Sequence, residues 1–465
     1  MKMVGLFSCF KVREMKVLKF GGTSVGSAEK MKKIAEIIRS ERAVFVVLSA
    51  MGGTTDKLTE MVADAVEGRV ETALKSAGNL KKHYDLTALQ LLEEDAAVAI
   101  FYVDIIFNSI TKKLTQLPLA RAEREILSYG EKLSTFLFHQ LLFNQGLRTV
   151  LLDATTLLPL DGDHEPVINE IEKRLWIEFK RHPETQVFIT QGFVCRNVWG
   201  ETDNLGRGGS DYSASLFGAA MCATEIQIWT DIDGVQNNDP RIVENTRPVR
   251  QLRFDEAAEL AYFGAKILHP LTILPAQKAN IPVLLKNTMH PEDPGTRITA
   301  SQDGRGFKAV AARDGIIAIR IKSSRMLLAY GFMRKVFEVF EDFKTSIDMV
   351  TTSEVAVSIT IDNRKYLPEI ISELRQFGKV EVEDGKTLVG VVGLIHAHEP
   401  GYARQLFDAL GDIPIRMISY GASPYNFSLL VNTEDKIRTL RALNSRLFHN
   451  ELTENEENRI STLAG

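Results

Sequence analysis

Residues 16–39 read KVLKFGGTSVGSAEKMKKIAEIIR. Val17, Leu18 and Phe20 make a short apolar run, Gly21 and Gly22 break it, and Met31, Ile34, Ile37 and Ile38 then recur at the spacing of a helix face. Strand, glycine turn and helix make a βα unit, and the chain starts another at once. AVFVVLSA (43–50) is a continuous apolar run, as expected of a parallel strand covered on both faces, and it too ends in a glycine turn, MGGTTD (51–56). Further buried-strand runs are LRTVLLDA (147–154), TQVFITQGF (185–193), EIQIWTDID (225–233) and IPVLLKN (281–287), separated by helical stretches such as EREILSYGEKLSTFLFHQLLF (123–143). Strands alternating with helices predict an α/β three-layer sandwich around a mostly parallel central sheet.

The bulk properties agree and exclude other classes. A chain of 465 residues is too long for one ordinary core. With 45% hydrophobic and 25% charged residues it has the balance of a globular protein, and no apolar run is long enough to span a bilayer. A formal charge of -4 offers no basic excess for nucleic acid or an acidic membrane. Cys9, Cys195 and Cys222 are widely spaced with no metal-ligand pattern, so a reducing cytoplasm is the expected compartment. Residues 1–14 read as an N-terminal extension, because VGLFSCF is shorter than a signal core and lacks a cleavage site.

The character changes after HPEDPGT (290–296), where strands shorten and a repeat emerges. GFMRKVFEVFEDF aligns with GYARQLFDALGDI, placing Gly331, Arg334, Phe337 and Asp342 on Gly401, Arg404, Phe407 and Asp412. Each helix follows a strand (IIAIRIKS, TLVGVVGLI) and precedes a strand pair (IDMVTTSEVAVSITI, IRMISYGASPYNFSLLV). Phe332, Val336, Val339, Phe340 and Phe343 form an apolar stripe that needs a sheet to cover it. The expected organisation is a large domain over 15–300, two α+β modules over 313–383 and 385–450 that could share strands, and an acidic tail over 451–465. EVEDGK (381–386) reads as a hairpin turn. TEDKIRTLRALNSRLF (433–448) reads as a closing helix with no final strand after it.

Two glycine turns, 19–24 and 49–55, lie at the ends of neighbouring predicted strands and would form anion sites at one sheet edge. A third turn lies in LGRGGSDYSASLFGAA (205–220), where an arginine at 207 suits capture of a carboxylate or phosphate. Neither a P-loop nor a dinucleotide fingerprint opens the chain. WTDIDGVQNNDPRIV (229–243) and FGAKILHP (263–270) complete the set.

In this order, the motifs KFGGTS, GRGGSDY, TDIDGV and FGAKILHP resemble the amino-acid kinase family and, within it, the aspartokinases. The repeats resemble the paired ACT modules of the lysine-sensitive single-function type. The resemblance implies ATP-dependent phosphorylation of the side-chain carboxylate of L-aspartate, the first step toward lysine, threonine and methionine, with ATP and Mg²⁺ as cofactors. It implies that Lys19 and Lys266 neutralise the phosphoryl group in flight, with Asp211 organising the two amines, and that Gly21 and Gly22 cradle phosphates. Arg207 would hold the α-carboxylate of aspartate and Glu131 its α-ammonium, while Ser49, Thr55 and Ser210 help place the substrate. Thr230, Asp231 and Arg241 would line the nucleotide pocket with Gln236, which stands where many relatives carry tyrosine or another apolar residue. Asp56 stands where relatives often have asparagine. The effector, lysine or alternatively threonine, would bind through Met326, Phe332, Met333, Ser346, Ile347, Asp348, Ser353 and Glu354, with Asp348 on its ammonium. Leu328 and Ala329 depart from the polar residues of relatives. A homodimer, or a dimer of dimers, through the ACT modules would follow.

The chemistry agrees with this inventory. A carboxylate of pKa about 3.9 is already ionised at neutral pH, so the nucleophile needs no general base, and the task is to bring two anions together. Lysines, backbone N–H groups and a divalent cation do that. Two alternatives remain at this level: a kinase of glutamate or acetylglutamate, and a non-catalytic amino-acid sensor. No residue is assigned as a metal ligand. DGDHE (161–165) reads as a solvated loop, and His396 and His398 as polar residues beside a helix entry.

Overall fold

A computed structural model describes residues 14–116, 122–206, 208–264, 270–301, 304–323, 330–396 and 398–448. They form two compact units that do not follow a single cut in the chain. The first contains the described residues up to Val235, with Arg250–Phe254 and those within Ile267–Gln302. The second contains Gln236–Val249, the described part of Asp255–Lys266, and the described residues after Asp303. Among the described residues no helix is long and apolar enough to cross a membrane.

The first unit is built on an eight-stranded sheet in the order Thr149–Leu151, Val187–Gln191, Val44–Leu48, Lys16–Phe20, Glu225–Thr230, Val283–Asn287, Thr296–Thr299, Gln251–Arg253. Every pairing is parallel except that of Thr296–Thr299 with Val283–Asn287. All six apolar runs picked out in the sequence are strands of this sheet. The strand period of two then sorts their side chains. Leu18 and Phe20 point to one face, where Met31, Ile34 and Ile38 of the helix Ala28–Arg39 and residues of Ala122–Asn144 cover them. Val17 points to the other face, under the helix Gly209–Ala220; a Cβ at Gly218 would lie 2.5 Å from the Ile226 side chain and 3.7 Å from that of Val17. Lys19, two residues on, therefore emerges on this second face, at the end where the strand meets its glycine turn.

The second unit carries a six-stranded antiparallel sheet in the order Met349–Thr352, Ala356–Ile361, Gly306–Lys322, Lys379–Leu394, Asn426–Asn432, Met417–Tyr420. Two long central strands pair along their length and serve both modules. Residues 317–322 pair with Ala356–Ile361, beside the core of Phe332–Asp342 and Leu367–Leu374. Residues 306–313 pair with 388–394 and complete the module that contains Tyr402–Leu410 and Lys436–Phe448. The strand that the sequence does not show after the closing helix is thus supplied, among the described residues, from before the first module. The expected hairpin at EVEDGK is not there. Lys379–Leu394 runs straight through it, with Gly385 at φ +62° beside a register shift. The Asp-Gly signal is absorbed as an irregularity, because residues on both sides of it are already paired in the sheet.

Two excursions from within the expected large domain, Gln236–Val249 and the described part of Asp255–Lys266, fold with this unit. Val243 enters the core beneath Leu440 and Leu443. Phe263 packs where Gly390 leaves room, since a Cβ there would meet its ring at 2.3 Å.

Candidate active site

Of the expected residues of the first unit, Lys19, Gly22, Ser49, Thr55, Glu131, Ser210 and Asp211 line one cleft of about 610 Å³, together with Asp56 and Gly208 among others. Two helices, Thr54–Val66 and Gly209–Ala220, open onto it. Each is preceded by a glycine of positive φ, Gly53 and Gly208, both at 75°. The positive ends of their dipoles favour negative charge there. The Lys19 amine is buried and lies 2.5 Å from Asp211 Oδ1. The glycine turn is tight: a Cβ at Gly22 would sit 2.8 Å from the Ala50 carbonyl oxygen, and one at Gly21 3.5 Å from Lys19 Nζ. Glycine at 22 thus lets the two turns approach each other, and glycine at 21 leaves the space beside the amine open.

Glu131 comes from the middle of the helix Ala122–Asn144 and is 3% exposed. Phe193 N donates to its Oε2 at 2.7 Å and Ser210 Oγ to its Oε1 at 2.9 Å. Burial outweighs these bonds and the nearby Lys19 charge, lifting the carboxyl to about 7. Ser134, one turn on, donates to the Ser49 carbonyl at 2.8 Å and ties the helix to the second glycine turn.

Gly192 was not singled out in the sequence, yet the site depends on it. A Cβ there would lie 2.5 Å from Ser210 Cβ and 2.8 Å from its Cα, so only glycine lets the helix Gly209–Ala220 start this close to the strand end. Its signal is in the sequence: TQGF ends a buried strand in glycine, as KFGG does.

Other expected residues lie elsewhere. Thr230 ends the strand beside Lys16–Phe20, and its Oγ1 accepts from Ile232 N at 3.1 Å; Gly21 N donates to the Trp229 carbonyl at 3.1 Å; Asp231 is exposed. Gln236 and Arg241 fold with the second unit, where Arg241 pairs with Asp239 at 2.7 Å. Arg207, Lys266 and Met326 lie outside the described residues, as do Leu328 and Ala329. A second cavity, of about 680 Å³ beside Trp229 and Lys286, contains none of the expected residues. At DGDHE, Asp161 Oδ1 accepts from the N–H groups of Asp163 and Glu165, both at 2.9 Å, which makes the segment an exposed turn.

In the second unit, Phe332 is buried and Met333 packs against the same core, whereas Ser346, Ser353 and Glu354 are exposed and Ile347 half-buried. The Asp348 side chain, 3% exposed, is already engaged: Tyr262 OH donates to its Oδ1 at 2.8 Å and Arg313 pairs with the same oxygen. The Arg313 guanidinium also lies over the Tyr262 ring, 4.9 Å from its centre. Asp348 Oδ2 has no partner among the described residues. Burial raises the Asp348 carboxyl above its usual range.

Residues 14–287 match the amino acid kinase family and residues 389–447 an ACT domain. The chain is 33% identical to the lysine-sensitive aspartokinase 3 of Escherichia coli over 94% of its own length and 99% of that protein's. It is 35% identical to the chloroplastic aspartokinase 1 of Arabidopsis thaliana, over 93% and 80% of the two chains. The crystal structure of E. coli aspartokinase III with aspartate and ADP, described as the R-state, superposes with a TM-score of 0.82 at 33% identity, covering 94% of this chain and all of that one. The T-state structure of the same enzyme, with lysine and aspartate, gives 0.77 at 34% identity with the same coverage. The chain belongs to the aspartokinases.

Proposed function

We propose that the cleft at Lys19 binds L-aspartate and the terminal phosphate of ATP and forms 4-phospho-L-aspartate. The observation that carries this reading is a buried amine held by a carboxylate between two helix N-termini, with a second buried carboxylate, Glu131, beside them. The β-carboxylate of aspartate attacks the γ-phosphorus; the new O–P bond forms as the bond to the β–γ bridging oxygen breaks, and ADP leaves with that electron pair. No proton needs to move, so the work is placement and charge neutralisation. Glu131 takes the α-ammonium, Arg207 the α-carboxylate, and Ser49, Thr55 and Ser210 orient the substrate. Lys19 and Lys266 balance the charge on the transferring group, and Asp211 holds the Lys19 amine in place. Thr230, Asp231, Gln236 and Arg241 serve the nucleotide. Asp211 and Asp56 provide the oxygen donors a hard cation accepts; Mg²⁺, arriving on the nucleotide, would neutralise the phosphate oxygens.

The ACT unit reads best as a lysine sensor, with Asp348 as the anchor for the effector ammonium. The E. coli enzyme crystallised with lysine supports this choice over threonine. Dimerisation through the ACT modules and a cytoplasmic location complete the proposal. The experiment is hydroxamate trapping of the acyl phosphate with aspartate, glutamate and N-acetylglutamate, each with and without lysine or threonine. Aspartyl hydroxamate formation suppressed by lysine is expected; a preference for another acid, or indifference to lysine, would refute the corresponding half.

A further inference from the structure

We infer that Asn444, on the last helix of the second ACT module, is a positioning residue for the nucleotide side of the reaction. The inference rests on the proposed nucleotide role of Gln236 and Arg241. Those residues lie in the excursion 236–249, which is closed at its base by the pairing of Gln236 with Pro248 and by a bond from Asn237 N to the Arg247 carbonyl at 2.8 Å. Val310 N donates to the Asn237 carbonyl at 2.8 Å, tying the excursion to the strand Gly306–Lys322.

Three asparagines then meet in the interior: Asn237, Asn238 and Asn444 are 4%, 3% and 3% exposed. Asn444 Oδ1 accepts from Asn237 Nδ2 and Asn238 Nδ2, each at 3.4 Å, and Asn238 Nδ2 also donates to the Leu440 carbonyl at 3.1 Å. From Asn238 the connections run outward to the proposed nucleotide residue. Asn238 Oδ1 accepts from Asp239 N at 2.9 Å. Asp239 in turn receives Arg241 through its backbone N and Nε at 2.9 Å and through Nη2 at 2.7 Å. An apolar residue at 444 would strand the buried Asn237 amide and leave Asn238 with the Leu440 carbonyl alone, and the loop would have to shift to rehydrate them. A carboxylate of the same shape would still accept from both.

The test is steady-state kinetics of the full-length enzyme with Asn444→Leu, Asn444→Asp, Asn238→Leu and Arg241→Ala, varying ATP and aspartate separately. Asn444→Leu should raise the KM for ATP about tenfold, as loss of a buried hydrogen-bonded pair would, with the KM for aspartate within about twofold of the parent. Asn238→Leu should do the same from the loop side and serves if Asn444→Leu does not fold. Asn444→Asp should stay near the parent. If the leucine variants leave the KM for ATP unchanged while Arg241→Ala raises it, the positioning role is overturned and the nucleotide reading stands. If Arg241→Ala has no effect, the nucleotide reading falls and takes the inference with it. Equal damage from Asn444→Asp and Asn444→Leu would also overturn it, because the acceptor would not be what matters.

Discussion

Lys19 Nζ and Asp211 Oδ1 lie 2.5 Å apart, joining the end of one parallel strand to the first turn of the helix that crosses over it. The pair forms because the strand period puts Lys19 on the face covered by that helix. Gly192 allows the helix to begin close enough for the carboxylate to reach the amine. Asp211→Asn keeps the shape and removes the charge that holds the amine. We predict a fall in kcat of about 10²–10³, the usual cost of losing one preorganised electrostatic contact, with the KM for aspartate changed less than about threefold.

Glu131, proposed to take the substrate ammonium, would link binding to pH. Its carboxyl is lifted from 4.5 to about 7 by burial, so the folded state keeps a proton that the unfolded chain has released between those values. Stability therefore falls as pH rises through this window, by about 3 kcal/mol in all, and the cost is fully present above pH 7. Glu131→Gln should melt several degrees higher than the parent at pH 8 and close to it at pH 5 in calorimetry. In kinetics the parent's KM for aspartate should fall as pH rises through 7, because the ionised carboxylate is the form that takes an ammonium. The variant's KM should be high and flat with pH.

A single methyl group at position 192 should disturb the same site sterically. Gly192→Ala places a Cβ 2.5 Å from that of Ser210, and relief requires moving the helix start. We predict a loss of about 1–3 kcal/mol in stability, as for other overpacked sites, with a KM for aspartate raised at least tenfold; parental kinetics would show that Ser210 has no part in placing the substrate.

Arg313 holds the carboxylate proposed for the effector. A lysine ammonium reaching Asp348 competes with that guanidinium, so Arg313→Gln should lower the lysine concentration for half-inhibition. Asp348→Asn should raise it at least tenfold, each measured against the variant's own uninhibited rate. Unchanged inhibition in Asp348→Asn would place the effector elsewhere.

Much of the fold was legible because burial leaves a plain mark. Val44–Leu48 throughout and Val187–Ile189 at the start of its strand are apolar on both faces and could be little else than central parallel strands. The glycine turns of the cleft were legible for the same reason, since they interrupt those runs. What was hidden depends on distant partners. EVEDGK carries a local turn signal that the paired long strands override. Gly192 is marked only by its place at a strand end, and the residue that needs it is 18 positions away. Nothing local in QNNDPRIV announces that it folds with the ACT sheet, because the amides that hold it there belong to a helix some 200 residues on. Nor does Asp348 reveal in sequence that Arg313 and Tyr262 already occupy it.

The most direct test of the central claim is Lys19→Ala, assayed by single-turnover phosphoryl transfer alongside aspartate binding by calorimetry. If the buried amine serves the transferring group, the transfer rate collapses by two or more orders of magnitude while aspartate affinity stays within a few-fold of the parent. A variant that transfers phosphoryl at a near-parental rate would contradict the account.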